Sequence, residues 1–150
     1  MRQGYFIDRL GECDLDRTLE IEVLSFGKDA YDRKLLAEYL RKCGDLFLGA
    51  WKGRKLCGYI LTRISADGCR ADLISVAVDP LYRRKGVAAS LLESTLRRLR
   101  RRKVGRMTLM VKSTNAGARE FYEKYGFTKL RRVPAYYEDG KDGIRMVKVW

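Results

Sequence analysis

The sequence predicts an α/β protein in which a mixed sheet carries helices on both faces. Three observations support this fold class. Short apolar strands and amphipathic helices follow one another along all 150 residues, with no internal repeat or Pro/Gly/Ser linker. A Lys-Gly-Arg turn at 52–54 joins two apolar runs as a hairpin. A buried strand ends at Asp79-Pro80 and is followed by a basic stretch and an amphipathic helix. A single domain, 1–150, accounts for the whole chain.

The first half of the chain contributes three strands and two helices. Asp14 and Asp32 are suited to cap the helices, because a short carboxylate accepts hydrogen bonds from first-turn amides. Apolar residues recur at helical spacing after each cap, at Leu15, Leu19 and Val23 and then at Leu35, Leu36, Tyr39 and Leu40. The predicted elements are a strand at Tyr5–Leu10, a helix after Asp14, a helix from about Asp32 to Cys43, and strands at Leu46–Trp51 and Leu56–Ile64.

The second half adds four strands and two helices. Asn115 can cap the last helix, which Gly126 closes. The helix after Gly86 has apolar residues at helical spacing, at Val87, Leu91, Leu92, Leu96 and Leu99. The predicted strands are Ala71–Val78, Arg106–Lys112, Phe127–Val133 and Ile144–Trp150. The complete order is β-α-α-β-β-β-α-β-α-β-β.

The charge balance favours anionic partners. Lys and Arg number 32 against 19 Asp and Glu, which gives a net charge of +13. Much of the excess lies between Arg97 and Arg106. A solvated helix face is the favoured interpretation of that run, and a nucleic-acid patch is the alternative. No aromatic residues interleave the run, which weakens the case for binding single-stranded nucleic acid.

Membrane insertion and metal binding are not expected. No apolar run reaches the length of a membrane span, and no signal-peptide core is present, so a cytoplasmic location is predicted. The four cysteines lack metal-ligand spacing and the chain has no His. We therefore expect no metal site, and we expect reduced thiols that are mostly buried.

The basic turn before the third helix has the features of a phosphate site. Arg83, Arg84 and Lys85 precede Gly86, and the helix follows at once. Unpaired N–H groups and the positive end of the helix dipole attract phosphate to a helix N-terminus. Gly86 has no side chain to block the approach, and Ala88 is small. A turn and helix cap without a ligand is the alternative.

Three ordered blocks of the chain resemble the GCN5-related N-acetyltransferase (GNAT) superfamily, within it the branch that acetylates ribosomal proteins and protein N-termini. Residues 83–88 match the pyrophosphate signature Gln/Arg-x-x-Gly-x-Gly/Ala. Asn115 and residues 121–127 match an Asn…Tyr-x-x-x-Gly-Phe block. Residues 135–142 resemble the Tyr-Tyr…Asp-Gly segment of the N-terminal acetylating branch. The likeness covers 70–150 well, and the earlier chain only through the order of its elements.

The resemblance implies acetyl-CoA as the cosubstrate, CoA as the product, and a mostly antiparallel sheet of about seven strands with four helices. The strand edge at 76–78 would bind the pantetheine arm as an added strand does. Its amides would polarise the carbonyl oxygen of the acetyl group. The residues implied to bind the cofactor are Val76, Ala77, Val78, Arg83, Arg84, Lys85, Gly86, Val87, Ala88, Ala89, Ser90, Asn115 and Tyr122.

The resemblance assigns to Tyr122 the return of a proton to the departing CoA thiolate. A tyrosine of pKa about 10 can share a proton with the thiolate of a thiol of pKa about 8.5. Without that context, the spacing of Tyr122 with Phe121 and Tyr125 would indicate a core aromatic residue. Asn115 could likewise be only a helix cap.

The general base is where the sequence departs from the family pattern. The N-terminal branch often places Glu or His on the strand after the long helix, where this chain has Met110. Histone-acetylating relatives place a Glu at the start of the signature strand, where this chain has Asp72. Glu22, in the first helix, is another carboxylate that could line the acceptor entrance. Either carboxylate could instead be a surface charge.

A weak base favours a protein N-terminus as the acceptor. Removing the proton at pH 7 costs about 1 kcal/mol for an α-amine and about 4.5 kcal/mol for a lysine. Tyr136 and Tyr137, with Tyr31 from the opposite wall, would hold the first backbone units of the peptide, and strand packing is the other interpretation of the pair. Without His, an acyl-enzyme route through Ser or Cys is not expected.

The predicted activity is therefore direct acetyl transfer to protein or peptide N-termini, ribosomal proteins among them. Two alternatives stay open. One is acetylation of a lysine or a small polyamine. The other is a catalytically weak CoA-binding regulatory module that binds nucleic acid through the basic run Arg97–Arg106.

Overall fold

The structure, a computed structural model that describes residues 4–150, contains the seven strands and four helices that the sequence predicts. The strands are β1 (Phe6–Arg9), β2 (Phe47–Lys52), β3 (Lys55–Ile64), β4 (Ala71–Val78), β5 (Arg106–Lys112), β6 (Thr128–Val133) and β7 (Gly143–Val149). The helices are α1 (Leu15–Phe26), α2 (Arg33–Cys43), α3 (Val87–Arg101) and α4 (Ala116–Lys124). None of the helices within 4–150 combines the length and the apolar content needed to cross a membrane.

The strands form one mixed sheet in the order β1-β2-β3-β4-β5-β7-β6. Antiparallel pairing joins β1 with β2, β2 with β3, β5 with β7 and β6 with β7. Strands β4 and β5 pair in parallel through Ala71 and Asp72. Parallel neighbours need a crossover connection, which α3 supplies. The mostly antiparallel sheet is thus confirmed.

The contacts divide the chain into two compact units, of which the first comprises the residues up to Arg63 together with Ile74–Arg102. Its core includes Ile21 of α1, Leu36 of α2 and the rings of Phe47 and Tyr59. Those two rings meet edge to face with centroids 5.8 Å apart. Helix α3 packs on β1 and β2 and buries the five apolar residues predicted for its inner face.

The second unit comprises Ile64–Leu73 and Lys103–Trp150. It contains the antiparallel strands β5, β7 and β6 and the helix α4. The side chain of Asn115 accepts a hydrogen bond from the Ala118 N–H at 3.1 Å, which confirms the predicted cap. The rings of Tyr122 and Phe127, both buried, pack edge to face at 5.6 Å.

Two local predictions for the first helix are wrong. The Asp14 carboxylate accepts a hydrogen bond from the Gly11 N–H at 2.8 Å and does not cap α1 with its side chain. Val23 is 49% exposed, whereas the buried residues of α1 include Thr18 and Glu22. The apolar spacing failed here because two of the side chains that face inward are polar.

The four cysteines divide evenly between interior and surface. Cys43 and Cys57 are buried, while Cys13 and Cys69 are exposed. Burial raises the pKa of the Cys43 and Cys57 thiols, so both stay protonated near neutral pH. The expectation of mostly buried thiols holds for only half of them.

Candidate functional site

The turn that precedes α3 has a backbone that presents amides to a ligand. Arg84 has a φ of 62° and Gly86 a φ of 85°. A left-handed residue costs little when it is glycine and more when it has a side chain. The first helical hydrogen bond of α3 runs from the Ser90 N–H to the Gly86 carbonyl at 3.0 Å. The amides of residues 87–89 therefore precede the helical ladder, at the positive end of the dipole.

A buried ion pair fixes the end of β4, from which this turn departs. Asp79 is buried and accepts hydrogen bonds from the Leu81 N–H at 2.9 Å and from the guanidinium of Arg17 on α1. Burial acts to raise the pKa of Asp79, but the Leu81 N–H and Arg17 outweigh it and hold that pKa below its ordinary value. The Nε of Arg83 also donates to the Val78 carbonyl at 3.1 Å. The turn is thus tied to the strand at two points.

Close packing behind the turn requires a glycine in β3. A Cβ atom at Gly58 would lie 2.8 Å from the Ala77 carbonyl oxygen and 3.1 Å from Cγ1 of Val87. A larger residue would push β3 away from the end of β4 and from the first turn of α3. Gly58 therefore contributes to the geometry of the candidate phosphate site.

The residues of the turn fit a diphosphate group. The Oγ atom of Ser90 is buried and has no hydrogen-bond partner among the described residues. An unpaired buried hydroxyl carries a desolvation cost that a ligand oxygen would remove. Arg84 and Lys85 are exposed and place positive charge beside the free amides. In the described pairing, β5 joins β4 at Ala71 and Asp72.

Glu22 lies in a buried polar cluster with Tyr31, Tyr59 and Ser75. Its side chain is 1% exposed and accepts hydrogen bonds from the Tyr31 N–H, at 2.9 Å, and from the Tyr59 hydroxyl. That hydroxyl lies 3.1 Å from the Oγ of Ser75 on β4. Burial raises the pKa of Glu22, although the Tyr31 amide and the Ser75 hydroxyl act to lower it. Glu22 is thus not a surface charge, and two hydroxyl groups connect it to β4.

Tyr122 is a buried residue of α4. Burial, with a smaller contribution from Tyr137, raises the pKa of Tyr122 well above its ordinary value. The hydroxyl therefore stays protonated at neutral pH. Its ring also packs against Phe121 at 5.3 Å, which matches the core-aromatic interpretation of the spacing. Packing and hydrogen-bond donation are compatible at this position.

Tyr136 and Tyr137 lie in the loop between β6 and β7, outside both strands. Their rings meet edge to face at 5.0 Å, and Tyr136 is 50% exposed. The Nζ of Lys112 lies 5.1 Å from the centre of the Tyr137 ring. The Tyr137 N–H donates to the Lys141 carbonyl at 3.1 Å, which fixes the loop. An ordered, partly exposed aromatic surface results.

Asp72 and Met110, the other two positions weighed for the base, both lie in the second unit. Asp72 accepts a hydrogen bond from the Thr108 hydroxyl and lines a cavity that four arginines also line. Those arginines would repel a positively charged amine. Met110 lies opposite Arg145 in the ladder of β5 and β7 and has no group that accepts a proton.

Sequence reasoning missed three residues of this arrangement, namely Arg17, Tyr59 and Ser75. Each meets its partner across a long stretch of chain, from Arg17 to Asp79 and from Tyr59 to Glu22. No local spacing reports such contacts. One signal was available. Glu22 follows Ile21 on the face of α1 that points into the core, and a carboxylate on that face needs a buried partner.

The fold, the turn before α3 and the block around Tyr122 are features of one class of enzyme, the acetyltransferases. The acetyltransferase (GNAT) domain family matches residues 16–150, and the chain belongs to this family. It is a GNAT N-acetyltransferase. Enzymes of this family use acetyl-CoA, and other solved structures of the fold contain CoA.

Individual relatives carry the names of both activities of the branch that the sequence resembles. The N-alpha-acetyltransferase of Saccharolobus solfataricus is 29% identical over 146 residues, which cover 90% of this chain and 87% of that protein. Ard1 from Thermoplasma volcanium superposes with a TM-score of 0.91 at 24% identity over 98% of both chains, a likeness of fold. The ribosomal-protein-S18-alanine N-acetyltransferase from Escherichia coli gives a TM-score of 0.85 at 28% identity, over 97% of this chain and 94% of that chain.

Proposed function

We propose that this enzyme transfers the acetyl group of acetyl-CoA to the N-terminal α-amine of proteins or peptides, with ribosomal proteins as one substrate class. The neutral amine attacks directly, without an acyl-enzyme. The names of the relatives support the acceptor class, since one is an N-alpha-acetyltransferase and another acts on alanine of ribosomal protein S18. The buried carboxylate Glu22 is the observation that carries the proposal.

Acetyl-CoA supplies an acetyl group activated as a thioester. The amides of residues 87–89 and the Ser90 hydroxyl would bind its diphosphate, and Arg84 and Lys85 would neutralise the charge. The backbone edge at 76–78 would hold the pantetheine arm. The diphosphate assignment uses the free first-turn amides and the unpaired hydroxyl.

Glu22 would accept the proton that the acceptor ammonium must lose before it attacks. Because Glu22 is buried, the proton would pass through Ser75 and Tyr59, and each hydroxyl would give up one proton as it receives another. A raised pKa brings the carboxylate closer to the operating pH, which is where a general base works best. An α-ammonium of pKa about 8 is within reach of such a base, whereas a lysine of pKa about 10.4 is a much poorer donor.

Asn115 and Tyr122 would act on the leaving-group side, where Tyr122 would donate a hydrogen bond to the departing thiolate. Its raised pKa keeps the hydroxyl protonated, as a donor must be. Tyr31, Tyr136 and Tyr137 would bind the first backbone units of the substrate. The exposed edge-to-face pair, fixed by the loop, is suited to a peptide.

Replacing Glu22 by Gln tests the proposal, with Glu20→Gln as the matched control. Both lie on α1, but Glu20 is exposed and pairs with Arg17. We expect Glu22→Gln to lower kcat by about 10²-fold or more, since general bases contribute that much. In the wild type, protonation of Glu22 should lower kcat/KM at low pH. We expect this acid limb of the pH profile to disappear in Glu22→Gln. Glu20→Gln should keep both the rate and the limb.

A Glu22→Gln enzyme with the wild-type pH profile would remove Glu22 as proton acceptor. Measuring the same reaction on a peptide with a blocked N-terminus and a free lysine, and on a polyamine, distinguishes the alternatives. Faster acetylation of either one than of the free N-terminus would refute the proposed substrate class. Binding of CoA without turnover on any amine would favour the regulatory module.

A further inference from the structure

A cavity lined with arginine side chains lies within the second unit, on strands β5, β6 and β7 and at the start of β4. It is an open groove of about 580 Å³, and three of its arginines, Arg70, Arg106 and Arg131, are exposed. We name it the arginine pocket. The residues that line it are Cys69, Arg70, Asp72, Arg106, Thr108, Arg131 and Arg145.

The arginine pocket has an excess of positive charge. Four guanidinium groups and one carboxylate leave a net charge of +3, and that carboxylate, Asp72, already accepts a hydrogen bond from Thr108. None of the ion pairs described for the chain includes Arg106, Arg131 or Arg145. Like charges gathered in one cavity repel one another, and an anion bound among them would relieve that repulsion.

Arg145 supplies a second and independent observation. Its Nε atom is buried and makes no hydrogen bond within the part of the chain that the structure describes. A buried donor without a partner is costly and uncommon. A carboxylate satisfies a guanidinium well, because it can accept two parallel N–H hydrogen bonds.

The arginine pocket shares a face of the sheet with the loop between β6 and β7 that carries Tyr136 and Tyr137, which we call the tyrosine loop. Arg145 lies directly opposite Met110, and Thr108 lies two residues before Met110 on β5, so all three point to one face. A Cβ at Gly143 would lie 2.7 Å from Met110 Sδ and 3.2 Å from Tyr136 Cβ. A continuous surface therefore leads from Tyr136 past Met110 to the pocket.

We propose that the arginine pocket binds an acidic side chain of the protein substrate, about two to four residues after the acetylated N-terminal residue, which is at positions three to five. This inference depends on the proposed function, because it takes the tyrosine loop as the place where the substrate begins. Thr108 and Arg106 lie two and four residues before Met110 on β5, which is about 7 Å and about 14 Å at roughly 3.4 Å per residue. An extended peptide covers these distances in about two to four residues. Substrates with Asp or Glu at those positions would be preferred.

Paired peptides provide the test. Each pair has the same free N-terminus, Ala, Ser or Met, and differs only in Glu against Gln at positions three to five. We expect kcat/KM to be about fivefold higher for the Glu peptide, which is the effect of one partly exposed ion pair. The preference should decrease as salt is added.

Arg106→Gln and Arg145→Gln should each reduce the ratio of the two kcat/KM values toward one, and Arg106→Lys should restore part of it. Arg106 is exposed, so its replacement keeps the test valid if Arg145→Gln does not fold. Lys129→Gln is the matched control. Lys129 lies on β6 opposite Met146, on the other face from Arg145, and its replacement should leave the ratio unchanged.

Equal rates for the Glu and Gln peptides, or a preference that survives Arg106→Gln, would overturn the inference and leave the proposed function standing. Loss of single-stranded oligonucleotide binding in Arg106→Gln, with the peptide preference intact, would assign the pocket to nucleic acid and overturn it too. No acetylation of any N-terminal peptide, while CoA still binds, would refute the proposed function and this inference with it.

Discussion

Replacing Ser90 by Ala should stabilise the free protein and weaken its binding of CoA. The Ser90 Oγ is buried without a partner among the described residues, and such a group costs about 1–3 kcal/mol. Removing it should raise Tm by about 2–4 °C for each kcal/mol recovered. With CoA bound, the same hydroxyl would donate to a charged phosphate oxygen, a bond worth about 1.5–3 kcal/mol. The Kd for CoA should therefore rise about tenfold or more.

Thermal unfolding and calorimetric titration with CoA measure the two effects. Ser94→Ala is the matched control, because Ser94 is buried one turn further along α3 and the exchange gains the same helix propensity. Ser94→Ala should leave the Kd for CoA unchanged. If Ser90→Ala lowered Tm, or left the affinity for CoA unchanged, the proposal that the Ser90 hydroxyl binds a phosphate of CoA would be refuted.

Two further predictions concern buried ionisable groups. Tyr122→Phe should lower kcat by about 10²-fold with little change in the Kd for CoA. The control Tyr125→Phe, one residue past the end of the same helix, should change neither. Equal loss of rate and affinity in Tyr122→Phe would exclude the donor role. Glu22 has a pKa that burial raises above its ordinary value of 4.5. As the pH rises from that value to the folded-state pKa, the unfolded chain releases the proton first, so the folded state loses stability. The Tm of Glu22→Gln relative to wild type should therefore increase with pH across that window, and a constant difference would contradict the shift.

The order of the elements along the chain and the long helix α3 could be predicted because their signals are local. The helix α3 and the bounds of β5 follow from side-chain period, and the bounds of β4 follow from the turns Asp67-Gly68 and Asp79-Pro80 that flank it. Asn115 caps α4 as its residue type predicts. Asp14 does not cap α1, because the nearby Gly11 N–H takes its carboxylate instead. Residue type indicates which side chains can cap a helix, but the cap forms only where no other nearby donor binds the side chain first.

The candidate site was predictable where it consists of consecutive residues. The turn before α3 depends on Gly86 and on the helix that follows it, and both are evident in the sequence. The Glu22 cluster and the arginine pocket are different, since each is assembled from elements far apart in the chain. Their geometry depends on strand register, for example Met110 opposite Arg145, and a shift of one residue would move either side chain to the other face.

The most direct test of the account is to locate the acetyl group after reaction. A peptide with a free N-terminus and one internal lysine is incubated with acetyl-CoA and the enzyme, and the product is fragmented in a mass spectrometer. We predict modification of the terminal nitrogen, with the lysine unmodified. Modification of the lysine first, or no transfer at all from a protein that binds CoA, would contradict the account.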